Sequence, residues 1–142
     1  MLVIAVAARP PAWLAKLEAE YAGRIVGFDL KTRLVKPATE AKTTAAVIAQ
    51  MPPRAEMFLL DADGKMMDSG GFARWLEGRL HAPHPTVFVI GGAAGAPQAL
   101  RTQARGVISL SKMTFAHAAA RLILAEQLFR ADCLMRGHPY PK

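Results

Sequence analysis

The chain reads as an α/β protein built on a parallel sheet, and three observations predict this. Met57-Phe58-Leu59-Leu60, Thr86-Val87-Phe88-Val89-Ile90 and Val107-Ile108-Ser109-Leu110 are short apolar runs without in-out alternation, so each predicts a strand covered on both faces. Stretches of helical periodicity separate strands along the chain, as crossovers between parallel strands require. Loops of unusual composition follow the runs, and ligands of open parallel sheets collect beyond the carboxyl ends of the strands. With 142 residues the chain has the size of one domain, so residues 1–142 are expected to share a single Rossmann-like core.

The elements follow in order. Leu2 to Ala8 is an apolar first strand; it is brief, has no basic residue before it and meets Arg9-Pro10-Pro11 at once, unlike a signal peptide. Ala12 to Arg24 is an amphipathic helix, with Trp13, Leu14, Leu17 and Tyr21 at helical spacing among Lys16, Glu18 and Glu20. Val26 to Val35 alternates in part with Asp29, Lys31 and Arg33 and stops before Pro37, which predicts a half-exposed strand. Thr39 is placed to cap a helix running to about Met51. After the strand Met57 to Leu60, Asp61-Ala62-Asp63-Gly64-Lys65 reads as a turn, and Ser69 opens a helix through Phe72, Trp75, Leu76 and Leu80. Gly91-Gly92-Ala93-Ala94-Gly95 follows the second buried strand, and Leu110 to Phe115 follows the third. The last helix, about His117 to Met135, is apolar nearly all round, so two faces need cover: one against the sheet, the other against a second copy of the chain. Arg121, Glu126, Arg130 and Asp132 lie within it, which argues against a membrane span. Gly137 and Pro139 end it, and the tail His138-Pro139-Tyr140-Pro141-Lys142 leads away.

A formal charge of +7 and a pI near 10.1 favour a polyanionic partner, nucleic acid first, because each basic side chain set against a phosphate releases counterions. Cys133 is the only cysteine, which excludes an intrachain disulfide and a multi-thiolate metal site and fits a reducing, cytoplasmic setting. No metal is expected.

The glycine loop lets a ligand approach the backbone, yet alone it carries several readings, phosphate and RNA-backbone binding among them. It lacks the G-x-G-x-x-G spacing and the Lys-Ser/Thr of a P-loop; its G-x-x-G resembles a KH loop, but that loop joins two helices and this one leaves a buried strand. Leu110-Ser111-Lys112-Met113-Thr114-Phe115 has neither glycine nor proline, and such an ordered apolar loop suits either simple packing or the wall of an adenine site. Lys65 suits a solvated turn, and His117 a structural helix start. Glu126 and Arg130 have the i,i+4 spacing of a helix ion pair. In the tail, His138, Tyr140 and Lys142 suit stacking on a base and holding a phosphate.

Taken together, Leu60-Asp61 with Gly64-Lys65, Val89-Ile90-Gly91-Gly92 with Gly95, Leu110 to Phe115, His117, Arg121, Glu126-Gln127, Arg130-Ala131 and His138-Pro139-Tyr140 fall in an order that resembles, across the whole chain, the large-subunit (23S) ribosomal RNA pseudouridine N3-methyltransferases of the SPOUT superfamily. The resemblance implies a parallel-sheet Rossmann-like SPOUT fold with a C-terminal trefoil knot, a homodimer, and S-adenosyl-L-methionine held by Leu60, Gly91, Leu110, Ser111, Lys112, Met113, Thr114 and Phe115. It implies a substrate in ribosomal RNA, methylated at N3 of a pseudouridine; the small size of the chain, with little surface for reading sequence, leads to the expectation that a preassembled shape is recognised, as in an assembled ribosome. Two positions depart from the family: Ala116 stands where a proline is usual, and Pro141 where a histidine is usual. With that histidine absent, His138 and Tyr140 are the candidate base or acceptor, with Arg130 holding RNA or the developing anion and Glu126 set aside as the base. The competing reading is an RNA-binding or ribosome-assembly protein of the same fold with impaired catalysis.

Overall fold

The computed structural model describes residues 1–140; the tail residues Pro141 and Lys142 lie outside it. Five strands, all parallel, form one sheet in the order β2-β1-β4-β3-β5. These are β1 (Leu2–Val6), β2 (Lys31–Val35), β3 (Glu56–Met66), β4 (Thr86–Ile90) and β5 (Gly106–Ser109). The helices α1 (Ala12–Arg24), α2 (Glu40–Gln50), α3 (Ser69–Leu80), α4 (Gln98–Gln103) and α5 (His117–Met135) connect the strands or follow the last.

The apolar runs lack alternation because both faces of the sheet are covered. Val3, Ala5, Phe58, Phe88, Ile90 and Ile108 point to one layer with Phe72, Leu76, Leu124 and Leu128, under α1, α3 and α5. Leu2, Ile4, Val6, Leu59, Val87 and Val89 point to the other, with Val47 of α2 and Leu100 of α4. The side-chain period of two thus distributes one continuous apolar strand between two cores.

The bounds of α1, β4 and α5 agree with the sequence reading, and Thr39 caps α2, accepting the N–H of Lys42 at 3.4 Å. Other elements differ. The first strand ends at Val6, and β2 begins only at Lys31, with every residue but Val35 exposed. The reason for the short β2 lies far away in sequence: the N–H groups of Val26 and Gly27 donate to the buried Asp132 carboxylate of α5 at 3.2 and 2.8 Å, which draws this segment off the sheet. A Cβ at Gly27 would stand 2.6 Å from Asp132 Oδ1. Ser69 is the first residue of α3, but Asp68 is its cap, accepting the Gly71 N–H at 2.6 Å. The short α4 has no counterpart in the sequence reading.

The largest correction concerns Asp61 to Lys65, read as a turn. β3 continues through these residues to Met66, pairing with β5 twice: Leu60 and Lys65 both lie opposite Ile108, and the residues between them form a bulge. Gly64 permits it, since a Cβ there would stand 2.5 Å from the Ile108 carbonyl carbon.

Helix α5 finds much of its cover inside the chain. It lies on the sheet between α1 and α3, tied to α1 by the buried Arg121, whose Nε and Nη2 donate to Glu18 at 2.8 and 2.5 Å. Outward-facing residues such as Ala119, Leu122, Ile123 and Glu126 remain half-buried, and Leu134 is exposed.

Candidate active site

A cavity of about 470 Å³ opens beside the bulge of β3 and beyond the carboxyl ends of β4 and β5, three neighbouring strands. Its walls are Leu60, Asp61 and Ala62 at the bulge of β3, Ile90 at the end of β4 with Gly91 to Ala93, Gly95 and Ala96 after it, and Leu110, Ser111 and Met113 to Phe115 after β5. Ala116, His117 and Ala120 close it from the start of α5. Such a volume lies in the range of cofactor and substrate clefts. Of the residues singled out in the sequence for a cofactor, Leu60, Gly91, Leu110, Ser111, Met113, Thr114 and Phe115 meet here; Lys112 is exposed and does not line the cavity.

The glycine loop is shaped by close approach of its own backbone. A Cβ on Gly91 would stand 2.4 Å from the Ala96 nitrogen and the Gly95 carbonyl carbon, so the chain folds back over Gly91 only because it has none. Gly95 turns the return with φ 83° and donates to Gly92 O at 2.9 Å. The opposite wall is ordered by two serines: Ser109 Oγ donates to Ser111 O at 2.8 Å, and Ser111 Oγ accepts the Met113 N–H at 3.0 Å. Met113 is 72% exposed and forms part of the rim.

Three polar groups give the cavity its chemistry. Asp61 brings a carboxylate to the wall, oriented by an ion pair with Arg101 of α4 and by the Asp63 N–H at 3.1 Å. The backbone groups of the two loops offer donors and acceptors. His117 at the first turn of α5 has a buried Nε2 with no hydrogen-bond partner; burial, and then the charge of Arg121, hold its imidazole below the ordinary histidine range, so it is neutral at pH 7. Asp61 stands within the quoted motif, but the sequence did not mark it as a wall, because its side chain was expected in a solvated turn. His117 was read as structural because a lone histidine at a helix start carries no signal of what its ring will face.

Arg130, His138 and Tyr140 gather elsewhere, at the far end of α5. Arg130 donates from Nε and Nη2 to Glu126 at 3.0 and 2.7 Å, and its guanidinium lies 4.7 Å from the centre of the Tyr140 ring. That ring packs edge-on against Phe129 at 4.7 Å. Burial and hydrogen bonding with Tyr21 push the Tyr140 phenol up to about 12, so it is a protonated donor at neutral pH. Gly137, with φ 66°, turns the tail back, and the His138 N–H donates to Cys133 O at 2.8 Å while the residue itself is exposed. Within one chain the helical rise puts Arg130 roughly 20 Å along the axis from His117, so this cluster does not share the cavity.

The whole described chain matches a known family. The model described as "Predicted SPOUT methyltransferase" covers residues 1–141. The chain is 37% identical over 138 residues to the protein named ribosomal RNA large subunit methyltransferase H of Synechococcus sp. (strain RCC307), covering 97% of this chain and 91% of that one. It is 37% identical over 150 residues to the protein of the same name from Thiobacillus denitrificans, covering 97% and 96%. Among solved structures, a "probable methylase family protein" from Haemophilus influenzae superposes with a TM-score of 0.59 at 10% identity, over 99% of this chain and 71% of that one. The SpoU methyltransferase AviRb from Streptomyces viridochromogenes, solved with AdoMet, superposes with a TM-score of 0.52 at 14% identity, over 98% and 59%. At those identities the superpositions speak to the fold alone, while the sequence matches speak to kinship: this chain belongs to the SPOUT methyltransferase family, and within it to the group of ribosomal RNA large subunit methyltransferases H.

Proposed function

We propose that the protein is an S-adenosylmethionine-dependent methyltransferase acting on N3 of a pseudouridine in large-subunit ribosomal RNA. The observation that carries the reading is the cavity itself, placed where parallel sheets bind ligands and walled by the two loops that the family resemblance singles out. Its features fit the cofactor: apolar residues of the Leu110 to Phe115 loop for an adenine, backbone groups around Gly91 for its polar edges, and the Asp61 carboxylate for a ligand that carries positive charge. Leu60, Gly91, Leu110, Ser111, Met113, Thr114 and Phe115 are the proposed contacts; Lys112, exposed beside the mouth, is assigned to the RNA. The bound cofactor supplies an electrophilic methyl group. The protein's own contribution is then to hold the pyrimidine nitrogen in line with that group and to shed water, since alignment alone accounts for a large part of such rates. The C-terminal trefoil knot typical of the family belongs to the same proposal.

The cluster of Arg130, His138 and Tyr140 completes the reading only if it reaches a cavity on another chain. A homodimer does this, with the half-buried outer stripe of α5 in the interface and each tail serving its partner's cavity. In that arrangement Arg130 steadies the anion that forms when N3 loses its proton, His138 accepts that proton, and Tyr140 donates a hydrogen bond from a phenol that stays protonated. The net charge of +7 suits a phosphate-rich substrate. A chain this small reads an assembled shape rather than a long sequence, which favours the ribosomal particle over free RNA, in the cytoplasm. Purified protein with methyl-labelled cofactor and methyl-deficient large-subunit particles tests the proposal. Label is expected in the large-subunit RNA, and its absence overturns the reading.

A further inference from the structure

A second cleft, of about 540 Å³, lies at the opposite end of the strands, where β3 begins and α2 and α4 end. Met51, Pro52, Met57, Ala104 and Ile48 give it an apolar floor, Ile48 being 42% exposed; Arg54, Arg105 and Glu56 stand around it. It is distinct from the methyl-donor cavity, since Glu56 and Leu60 lie about 13 Å apart along β3.

The charge of this cleft is unbalanced. Glu56 is engaged by Arg79, which is itself largely buried, hydrogen-bonded to Thr86 Oγ1 at 3.2 Å and stacked over Phe58. Arg105 adds a second guanidinium to the same carboxylate at 3.5 Å while its side chain stays 69% exposed. Arg54 has no hydrogen-bond or ion-pair partner for its side chain among the described residues. A structural explanation for arginines here is that they satisfy the carbonyls at the helix ends, and Arg33 does so by donating to Gln50 O at 3.0 Å. Arg54 and Arg105 do not. Arg54 is also the one non-glycine with positive φ among the described residues, at 60°, where glycine would be the unstrained choice. A long cationic side chain at a turn that favours glycine is difficult to explain by the fold.

We infer that this cleft, with Arg54 and Arg105 at its mouth, is a second RNA-binding surface: the arginines take phosphates of the ribosomal RNA and the apolar floor takes a base or ribose. It rests on the proposed action on ribosomal RNA and adds a contact remote from the methylated nucleotide. Such contacts position a substrate without reading its sequence. The surface also gives the small chain a second hold on an assembled particle.

The test compares parent protein with the Arg54→Glu/Arg105→Glu variant, and with a control pair carrying the same charge change elsewhere, Lys16→Glu/Arg74→Glu. Binding to large-subunit particles is measured across a salt series, and adenosylmethionine binding by calorimetry. The cleft variant is expected to bind particles at least about tenfold more weakly, with the slope of log affinity against log salt reduced by roughly 1.5, while its cofactor affinity and that of the control pair stay at the parent's and the control binds particles nearly as well as the parent. Equal binding by cleft variant and parent overturns this inference and leaves the proposed function standing. Equal losses in the cleft and control pairs also overturn it, since diffuse charge would then suffice. Failure of the parent itself to bind particles overturns the proposed function and this inference with it.

Discussion

The buried carboxylate of Asp132, near the end of the last helix, accepts the backbone N–H of Gly27 at 2.8 Å, although 105 residues separate the two along the chain. It also accepts from Val26 and from Arg136 Nε and Nη2 at 3.2, 3.0 and 2.8 Å. One side chain thus joins the end of α1 to the end of α5 and holds the helix that carries the tail. Asp132→Ala leaves two part-buried backbone donors without their acceptor and frees the exposed Arg136, and a loss of about 1–3 kcal/mol is expected in urea unfolding.

The same carboxylate sets an acid limit. Burial pushes its pKa up, but the hydrogen bonds from Arg136, Val26 and Gly27 outweigh that and hold it below the ordinary 3.8. A lowered folded value means the unfolded chain binds the proton more readily, so the stabilisation is complete above the unfolded value and is lost as pH falls through the folded one. Asp132→Asn should therefore flatten the acid limb of a stability profile below pH 4, and an unchanged limb would contradict the assignment.

Gly91 offers the sharpest test of the cavity. Its missing Cβ is what lets Ala96 and Gly95 close over it, with backbone atoms 2.4 Å from where a Cβ would stand. Gly91→Ala should reopen the loop and weaken adenosylmethionine binding at least about a hundredfold, the equivalent of ~2.8 kcal/mol, while circular dichroism keeps the parent's spectrum.

Ala116 stands where the family resemblance leads to the expectation of a proline, and its backbone would accept one. Its φ is −57°, within proline's range, and its N–H donates no hydrogen bond among the described residues. Ala116→Pro should stabilise the fold by about 0.4–1 kcal/mol through the unfolded chain, read as a higher melting temperature with cofactor affinity unchanged or improved. Destabilisation would contradict a proline-compatible backbone at Ala116.

A mixing experiment tests the proposed sharing of a site between two chains. Gly91→Ala chains keep the tail cluster and Arg130→Ala chains keep the cavity, so each alone should transfer little methyl. Equal mixtures exchanging into dimers should recover about a quarter of the parent's activity, because half the dimers are mixed and each carries one complete site. No recovery would place cavity and tail in the same chain's site.

Much of this architecture is legible in the sequence where local physics decides. Thr39 as a cap, the periodicity of α1, and the uninterrupted apolar run of β4 are local signals, and they place those elements closely. Where distant partners decide, sequence reading fails. Residues 26–30 look like strand because nothing nearby reveals that Asp132 will take the N–H groups of Val26 and Gly27. Asp61 to Lys65 looks like a turn because the pairing that extends β3 comes from Ile108. For the cavity, the strand ends point to the region, and it is the family resemblance that names Leu60, Gly91 and most of Leu110 to Phe115, which line it. The orphaned Nε2 of His117 and the Arg101 partner of Asp61 become visible only once the chain is folded.

The most direct test of the central claim is mass mapping of large-subunit RNA nucleotides from methyl-deficient particles incubated with adenosylmethionine, with and without this protein. One added methyl group at N3 of a single pseudouridine, appearing with the parent and absent with Gly91→Ala, is the predicted result. Large-subunit RNA that gains no methyl group from the parent protein would contradict the account.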